Sequence, residues 1–170
     1  MTVALRKAVP EDALRIAQVQ VRSWEAATRG DKPDSVLDGL SIPHRTEDWT
    51  KRLVPSEGEM LVVLIDGVIE GWTSLGPSRD SDKEDAGEVY GIYLSPDFIG
   101  ENIGMRLYAG AEASLTARGC KEIILWVVAA NAQARQFYEK AGCHLDGAQK
   151  SILWEGARID EVRYAKSLSS

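Results

Sequence analysis

One stretch of the chain has the residue order of a phosphate-binding loop. In YGIYLSPDFIGENIGMRLY, residues 90–108, a β-like run meets the turn SPD at 95–97, then a short loop with Gly100 and Gly104, and then an apparent helix. A helix N-terminus offers backbone N–H groups and the positive end of the helix dipole to an anion. A strand, a tight loop and a helix in this order therefore predict a cradle for a phosphate.

Two side chains outside the loop carry groups that can move a proton. Tyr138, in the stretch NAQARQFYEKAGC, has a hydroxyl that can donate one, and Glu88, at the start of the strand leading into the loop, has a carboxylate that can accept one. By residue type alone, a Tyr beside a Phe on a helix is more often a core residue with a solvated tip. A single carboxylate at a strand end is more often simply solvated. A catalytic role for either residue therefore needs the support of a longer motif.

The composition is that of an ordinary globular chain of one domain. Of its 170 residues, 44% are hydrophobic and 27% charged, and the formal net charge is -6. No apolar run approaches the roughly 20 residues that span a bilayer, and no basic block suggests nucleic acid as a partner. Neither a membrane nor a nucleic acid is therefore an expected partner.

Cysteine and histidine usage suggests no disulfide framework and no metal site. Cys120 and Cys143 match no metal-binding spacing, and His44 and His144 lack neighbours of the metal-binding type. The N-terminal stretch MTVALRKAVPEDA becomes charged too soon for a secretory signal. We therefore expect reduced thiols in a cytoplasmic protein that binds no metal.

Hydrophobic periodicity divides the chain into alternating strands and helices. In the first helix, which opens after Pro10, the apolar residues Leu14, Ala17, Val21 and Trp24 recur at helical spacing. The prediction in chain order is a strand at 3–8, the helix from residue 10, helices at 31–41 and 42–53, a hairpin at 59–76 that turns at Asp66-Gly67, a loop at 77–88, strand 88–94, helix 103–118, strand 122–128, helix 131–142, and closing antiparallel strands at 144–154 and 158–168. This order indicates a mixed α/β sheet.

The chain resembles the GNAT superfamily of acetyl-coenzyme-A-dependent N-acetyltransferases. Its order of elements agrees over nearly the whole length, and residues 131–143 are similar to the family pattern Asn-x-x-Ala-x-x-Phe-Tyr-x-x-x-Gly-Phe. The matching positions are Asn131, Ala134, Phe137, Tyr138 and Gly142, with Cys143 as the departure. The resemblance implies a single acetyltransferase domain over residues 1–170, with a central, mostly antiparallel sheet flanked by helices and acetyl-coenzyme A as co-substrate.

The resemblance also implies roles for individual residues. Tyr138 would protonate the departing thiolate, Glu88 would relay a proton from the attacking amine, and Asn131 would cap its helix and secure the pantetheine arm. A bulge near residues 92–94 would turn backbone N–H groups toward the acetyl carbonyl and the pantetheine. The coenzyme contacts implied are Ile92, Tyr93, Leu94, Ile99, Gly100, Glu101, Asn102, Ile103, Gly104, Met105, Asn131 and Tyr138.

The predicted phosphate loop departs from the family pattern at two positions. Ile99 stands where the family has Arg or Gln, and Asn102 stands where it has its first Gly, whereas Gly104 fits the last position. Asn is the residue other than Gly that best accepts a positive φ, so Asn102 should keep the loop's shape. Glu101 adds a negative charge close to the expected pyrophosphate. We therefore expect a competent but weaker coenzyme site.

The acceptor cannot be read from the motifs. In the superfamily the first helix and the hairpin wall the acceptor side, so Trp24, Trp72, Arg79 with Asp80, and Tyr90 are candidate substrate contacts. Polyamine, amino acid, antibiotic and protein N-terminus all stay open as acceptors, and the acidic net charge favours a cationic amine. A homodimer is common in the superfamily and is kept as an option.

Two other functions are compatible with parts of the sequence. A non-catalytic coenzyme-A-binding or regulatory module would explain the departures in the loop, although Tyr138 and Glu88 argue against it. A nucleotide-binding α/β protein could use the same strand, loop and helix. The chain lacks the Lys-Ser/Thr ending of a P-loop and the three glycines of a dinucleotide fold, so this second alternative ranks last.

Overall fold

The computed structural model describes residues 1–28, 46–49, 58–154 and 156–168, excluding the side chains of 24, 26–28 and 154. The strands are β1 (Val3–Lys7), β2 (Glu59–Ile65), β3 (Val68–Pro77), β4 (Gly87–Leu94), β5 (Glu122–Val128), β6 (His144–Trp154) and β7 (Ala157–Ser167). The helices are α1 (Ala13–Thr28), α2 (Ile103–Ala117) and α3 (Ala132–Lys140), with short 3-10 turns at Pro10–Asp12, Ser81–Lys83 and Pro96–Phe98. The predicted helix at 31–41 lies outside the described residues, and so does the one at 42–53 except for a helical turn at 46–49.

The strands form one seven-stranded sheet in the order β1-β2-β3-β4-β5-β7-β6. Only the central β4–β5 pair is parallel, and every other neighbouring pair is antiparallel. The predicted mixed α/β fold with a mostly antiparallel sheet is therefore confirmed. Among the residues that the structure describes, no helix is both long and apolar enough to cross a bilayer.

Local turn chemistry ends several elements where the sequence predicts it. Asp66 and Gly67, at φ 51° and 86°, make the tight turn between β2 and β3, as the Asp-Gly pair predicts for a type I′ hairpin. Gly119 and Gly142, also at positive φ, follow the ends of α2 and α3.

The helices cover both faces of the sheet. Trp72 of β3 packs in one cluster with Ile16 and Ala17 of α1, and we call this side the α1 face. Val89 of β4 packs in another cluster with residues of α2 and α3, on what we call the α2–α3 face. Because side chains alternate along a strand, neighbouring residues of β4 point to opposite faces, and Glu88 lies on the α1 face.

The buried face of α1 differs from the predicted one at its start. Ala17 and Val21 are buried as predicted, whereas Leu14 is 52% exposed. The buried positions in the first turns are Ala13 and Ile16. The helix is therefore rotated toward these two residues, which places Leu14 at the solvent.

The irregularity in β4 lies earlier than predicted. Ser74 of β3 pairs with Gly91 and the next residue, Leu75, pairs with Val89, so Tyr90 is the extra residue of a β-bulge. The bulge expected near residues 92–94 is therefore wrong in position, because those residues keep their register with β3. The bulge instead bends β4 directly after Glu88.

Candidate active site

The sheet opens between its two parallel strands. Within the described chain, β4 pairs with β5 only at Gly87 with Ile123 and at Glu88 with Ile124. Beyond Glu88, β4 carries the bulge and stays paired with β3 alone. The result is a gap in the middle of the sheet, which we call the β4–β5 gap.

Backbone groups of the second half of β4 point into this gap. The Ser95 N–H donates to the Glu70 carbonyl of β3 at 2.7 Å, and the Gly91 carbonyl accepts from Thr73 Oγ1 at 2.9 Å. In an antiparallel ladder, alternate residues direct their N–H and C=O groups to the same neighbour. Gly91, Tyr93 and Ser95 therefore face β3. The residues between them, at 92 and 94, direct their backbone groups to the side where β5 has separated.

Tyr138 lies on the α2–α3 face, packed among other rings. Its ring centroid is 5.2 Å from that of Phe137 and 6.5 Å from those of Tyr108 and Tyr164. The residue is 7% exposed, and burial raises the pKa of Tyr138. Among the described residues, no hydrogen-bond partner engages its hydroxyl. The phenol therefore stays protonated at neutral pH and has a proton to donate.

Tyr93 lies in the part of β4 that has separated from β5, with its ring on the α1 face. Its ring stacks on Trp72 of the α1 face with centroids 4.5 Å apart, and it lies over Gly91, where a Cβ would come within 2.8 Å of the ring. After burial, the Tyr93 phenol is the largest contribution that raises the pKa of Tyr138. Ile92 of β4 and Val127 of β5, on the two sides of the gap, pack in the same cluster as Tyr138. Tyr138 therefore borders the β4–β5 gap.

Glu88 lies on the α1 face where β4 and β5 separate. It is 1% exposed, and its two carboxylate oxygens accept from Arg79, one from the backbone N–H at 2.9 Å and the other from Nη2 at 2.7 Å. Each oxygen keeps a second lone pair. The carboxylate is thus held in one orientation while it can still accept another hydrogen bond.

Arg79 and Tyr90 form the exposed rim above Glu88. The Arg79 side chain is 63% exposed, and its guanidinium carbon lies 4.4 Å from the centroid of the Tyr90 ring. The Tyr90 hydroxyl donates to the Pro77 carbonyl, which fixes the ring. Both predicted substrate contacts are therefore brought together at the entrance to the gap on the α1 face.

Trp72, which is predicted as a substrate contact, is not found at this entrance. Trp72 is 1% exposed, and its indole N–H donates to the Ile16 carbonyl at 3.1 Å. The prediction for Trp72 is corrected, because its indole is part of the core. Its link to the gap is indirect, through the stacking of its ring on Tyr93. The side chain of Trp24 lies outside the described part of the chain.

The loop between β4 and α2, residues 95–102, has the conformation that its sequence predicts. Asn102 is left-handed, with φ 63° and ψ 10°, and Gly100 has φ 92°. The predicted positive φ at Asn102 is therefore confirmed. Glu101 is exposed, and Ile99 is 46% exposed. The loop thus presents its surface to solvent on the side where α2 begins.

Backbone donors converge at this loop. The first N–H groups of a helix have no partner inside the helix, and those of Ile103, Gly104 and Met105 open toward residues 99–102. A group of N–H donors at a helix N-terminus is the arrangement that binds a pyrophosphate. Ile99 is the exception, because its N–H donates to the Pro96 carbonyl at 3.3 Å. The expectation that the Ile99 amide is available is therefore corrected.

The loop is tied to α3, which carries Tyr138. A Cβ on Gly104 would lie 3.1 Å from the Phe137 ring, so glycine at this position allows α2 and α3 to approach closely. At the other end of α3, the Asn131 side chain caps the helix by accepting from the Ala134 N–H at 3.0 Å. The predicted cap is confirmed, and both motif regions border the same gap.

A buried arginine near this entrance was not among the residues predicted from the sequence. Arg163 of β7 is 5% exposed and binds Asp80, Asp82 and Asp146, and Asp80 also accepts from the Trp126 indole at 2.9 Å. The signal was present in β7, where Arg163 alternates in phase with the buried residues Ile159 and Ala165. A charged residue at a core-facing position of a strand predicts a buried ion pair.

Comparison with known proteins establishes the family. A model of the acetyltransferase (GNAT) family matches residues 19–143. The chain therefore belongs to the acetyltransferase (GNAT) family, as its sequence predicts. It is an acetyl-CoA-dependent N-acetyltransferase.

Two relatives agree with this assignment, and a solved structure shares the fold. An uncharacterised N-acetyltransferase from Bacillus subtilis, YuaI, is 29% identical over 129 residues, which are 76% of this chain and 73% of the relative. A probable N-acetyltransferase from Mycobacterium tuberculosis is 26% identical over 167 residues, 95% of this chain and 92% of the relative. The crystal structure of the PaiA N-acetyltransferase from Thermoplasma acidophilum, in complex with coenzyme A, has a TM-score of 0.78 at 20% identity and covers 99% of this chain and 100% of its own.

Proposed function

We propose that this enzyme transfers the acetyl group of acetyl-CoA to a primary amine by direct attack within a ternary complex. The observation that carries the proposal is the β4–β5 gap, which opens directly after Glu88 and has Tyr138 on one face and Glu88 on the other. A gap through the sheet lets a thioester enter from one face and an amine reach it from the other. The two substrates would then meet without a covalent enzyme intermediate.

The coenzyme would be held mainly by backbone groups. The N–H groups at 92 and 94 would bind the acetyl carbonyl and the pantetheine amides, in the place of the missing pairing with β5. The loop at 100–102 and the first amides of α2, from Ile103 to Met105, would bind the pyrophosphate. Asn131 would contact the pantetheine arm from the start of α3 while it caps that helix.

Glu88 and Tyr138 would carry the protons. Glu88 would accept a proton from the ammonium of the acceptor, directly or through a water, at the lone pairs that Arg79 leaves open. The amine nitrogen would then bond to the acetyl carbon, the carbon–sulfur bond would break, and the nitrogen would release its second proton to water to leave a neutral amide. The sulfur would take the proton of the Tyr138 hydroxyl, which is available because burial raises its pKa, and water would return a proton to the phenolate before the next turnover.

The acceptor would be a cationic small-molecule or protein amine. The net charge of -6 and the carboxylates around the entrance support this class. Among the relatives, a spermidine N(1)-acetyltransferase from Thermoplasma acidophilum is 22% identical over 152 residues. We propose further that residues 1–170 act as one domain in the cytoplasm, where the free thiols of Cys120 and Cys143 stay reduced.

A thiol-release assay tests the proposal. The protein is incubated with acetyl-CoA and a panel of polyamines, amino acids, aminoglycosides and peptides, and free coenzyme A is measured against a Tyr138→Phe control. Amine-dependent release that the control loses is the expected result. Tight binding of acetyl-CoA without release for any amine would instead favour a non-catalytic coenzyme-binding module.

A further inference from the structure

The loop between β3 and β4, residues 78–86, connects both walls of the β4–β5 gap on the α1 face. Arg79 contacts the β4 wall, through its two hydrogen bonds to Glu88 and its position over the Tyr90 ring. The next residue, Asp80, contacts the other wall, where it accepts from the Trp126 indole of β5 at 2.9 Å. The position of this loop therefore determines the geometry of the entrance.

Arg163 anchors this loop from beneath. Its Nη1 donates to Asp80 and to Asp82, each at 2.9 Å, and its Nη2 donates to Asp82 at 2.7 Å. Its Nε donates to Asp146 of β6 at 2.6 Å. All three guanidinium nitrogens therefore donate hydrogen bonds to carboxylates. A lysine ammonium could not reproduce this planar arrangement of donors. We call Arg163 and these aspartates the Arg163 cluster.

A bulge in β6 completes the cluster. Leu145 pairs with Tyr164 of β7 and Gln149 pairs with Val162, so residues 146–148 of β6 stand opposite Arg163 alone. This arrangement brings Asp146 against the Arg163 side chain and closes it off from solvent. The edge strand β6 and its neighbour β7 are thereby connected to the loop that holds Arg79.

Other contacts of the loop are weaker anchors. Lys83 pairs with Glu122 at 2.9 Å, but both side chains are about 30% exposed (28% and 31%), and exposed pairs contribute little to stability. The loop also closes on itself, as the Ser78 N–H donates to the Ala86 carbonyl. Arg163, at 5% exposed, is therefore the dominant anchor among the described residues.

We propose that Arg163 is a positioning residue of the active site, which holds Arg79 against Glu88 through Asp80 and so keeps the acceptor side of the gap in its working geometry. The inference rests on the proposed role of Glu88 in acetyl transfer. It assigns to Arg163, which lies on the far side of β5 from β4, an effect on the acceptor step rather than on coenzyme binding.

Amide hydrogen exchange tests the structural part directly, without any assay of activity. In Arg163→Met, the Arg79 amide, which donates to Glu88, should exchange at least about tenfold faster, while amides of the β2–β3 pair are unchanged. The matched control is Arg158→Met, which removes an arginine of the same strand whose side chain is 71% exposed. If Arg163→Met does not fold, Asp80→Asn removes the link to the loop and is measured in its place. An Arg79 amide within about twofold of the wild type in the variant that folds would overturn the proposal.

Kinetics tests the functional part. Arg163→Met should lower kcat with the acceptor roughly 10- to 100-fold and leave the KM for acetyl-CoA within about twofold, whereas Arg158→Met changes neither. If Arg163 acts through Arg79, the double variant with Arg79→Met should be no slower than Arg79→Met alone. Effects that multiply in the double variant would overturn the proposal. Should the wild type acetylate no amine, the proposed function fails and the exchange measurement alone decides the role of Arg163.

Discussion

The two sides of the β4–β5 gap are built from different parts of the chain. On the proposed coenzyme side, the groups offered besides the Tyr138 hydroxyl are backbone amides at 92, 94 and 100–105, fixed by the strand, the left-handed loop and the start of α2. On the proposed acceptor side, the groups offered are side chains, with Glu88 held by Arg79 and the loop at 78–86 held by Arg163. The groups on the backbone side depend on the conformation of the main chain. Those on the side-chain side depend on which residues are present.

This difference explains why the loop at 95–102 can depart from the family pattern and keep its shape. Asn102 stands where the family has a glycine and keeps the positive φ. Ile99 stands where the family has a polar side chain, and this position is exposed to solvent. The acceptor side has no such freedom, because Glu88 is 1% exposed and both of its oxygens are engaged by one arginine. Substitutions should therefore have large effects at the Tyr138 hydroxyl and on the side-chain wall, and small effects on the backbone wall.

The largest effect is expected at Tyr138. Tyr138→Phe removes the proton donor, and we expect kcat to fall by about 10²- to 10⁴-fold with the KM for acetyl-CoA within about twofold. Steady-state thiol release measures both constants. Stability should change little, since no described residue is hydrogen-bonded to this hydroxyl.

Tyr108→Phe is the matched control for that experiment. It deletes a phenolic hydroxyl of the same cluster, 2% exposed, whose contact is the Cys143 sulfur at 3.4 Å. We expect its kcat within about twofold of the wild type. Equal losses of kcat in Tyr138→Phe and Tyr108→Phe would remove Tyr138 from the acid role.

The pH dependence of the wild type gives a further test. Because burial raises the pKa of Tyr138, ionisation of this phenol should cause no alkaline loss of activity below about pH 10, the ordinary pKa of a tyrosine.

The second-largest effect is expected at Glu88. Glu88→Gln keeps the shape of the side chain but removes the base, so kcat/KM for the acceptor should fall by about 10²-fold. Glu122→Gln is the control, as it breaks the Lys83 pair of the same loop at its exposed end. Full activity in Glu88→Gln would show that the acceptor side does not depend on this carboxylate, and the contrast between the two walls would lose its main support.

The conformation of the backbone wall could be predicted from the sequence because it depends on local residue types. The contacts of the side-chain wall could not, because they depend on the tertiary structure. Asn102 and the Asp66-Gly67 turn could be predicted because a positive φ selects among few residue types. Arg163 meets Asp80 and Asp82 across more than 80 positions of sequence, through a strand order and a β6 bulge that no local pattern encodes. Trp72 was misplaced for the same reason, since its burial depends on where α1 packs.

An intermediate effect is expected where the backbone wall is strained. Asn102→Val places a β-branched residue at φ 63°, which should cost about 1–2 kcal/mol of unfolding free energy and raise the KM for acetyl-CoA several-fold. Asn102→Gly keeps the conformation and should change either quantity little. Urea unfolding and coenzyme titration measure the two effects. If both variants bound acetyl-CoA equally well, the conformation of this residue would not control the coenzyme side.

The smallest effect, and the finest test of a backbone-built wall, is expected at Glu101. This exposed carboxylate lies beside the proposed pyrophosphate site, so Glu101→Gln should tighten acetyl-CoA binding by roughly 2- to 5-fold at low salt, the size of a solvent-exposed charge interaction. The gain should shrink at 0.5 M salt, where screening acts over only a few ångströms. Asp97→Gln, which changes an acidic residue with a 78% exposed side chain within the turn Pro96–Phe98, is the control and should have a smaller effect. A gain that does not depend on salt would mean that Glu101 acts through the conformation of the loop and not through its charge.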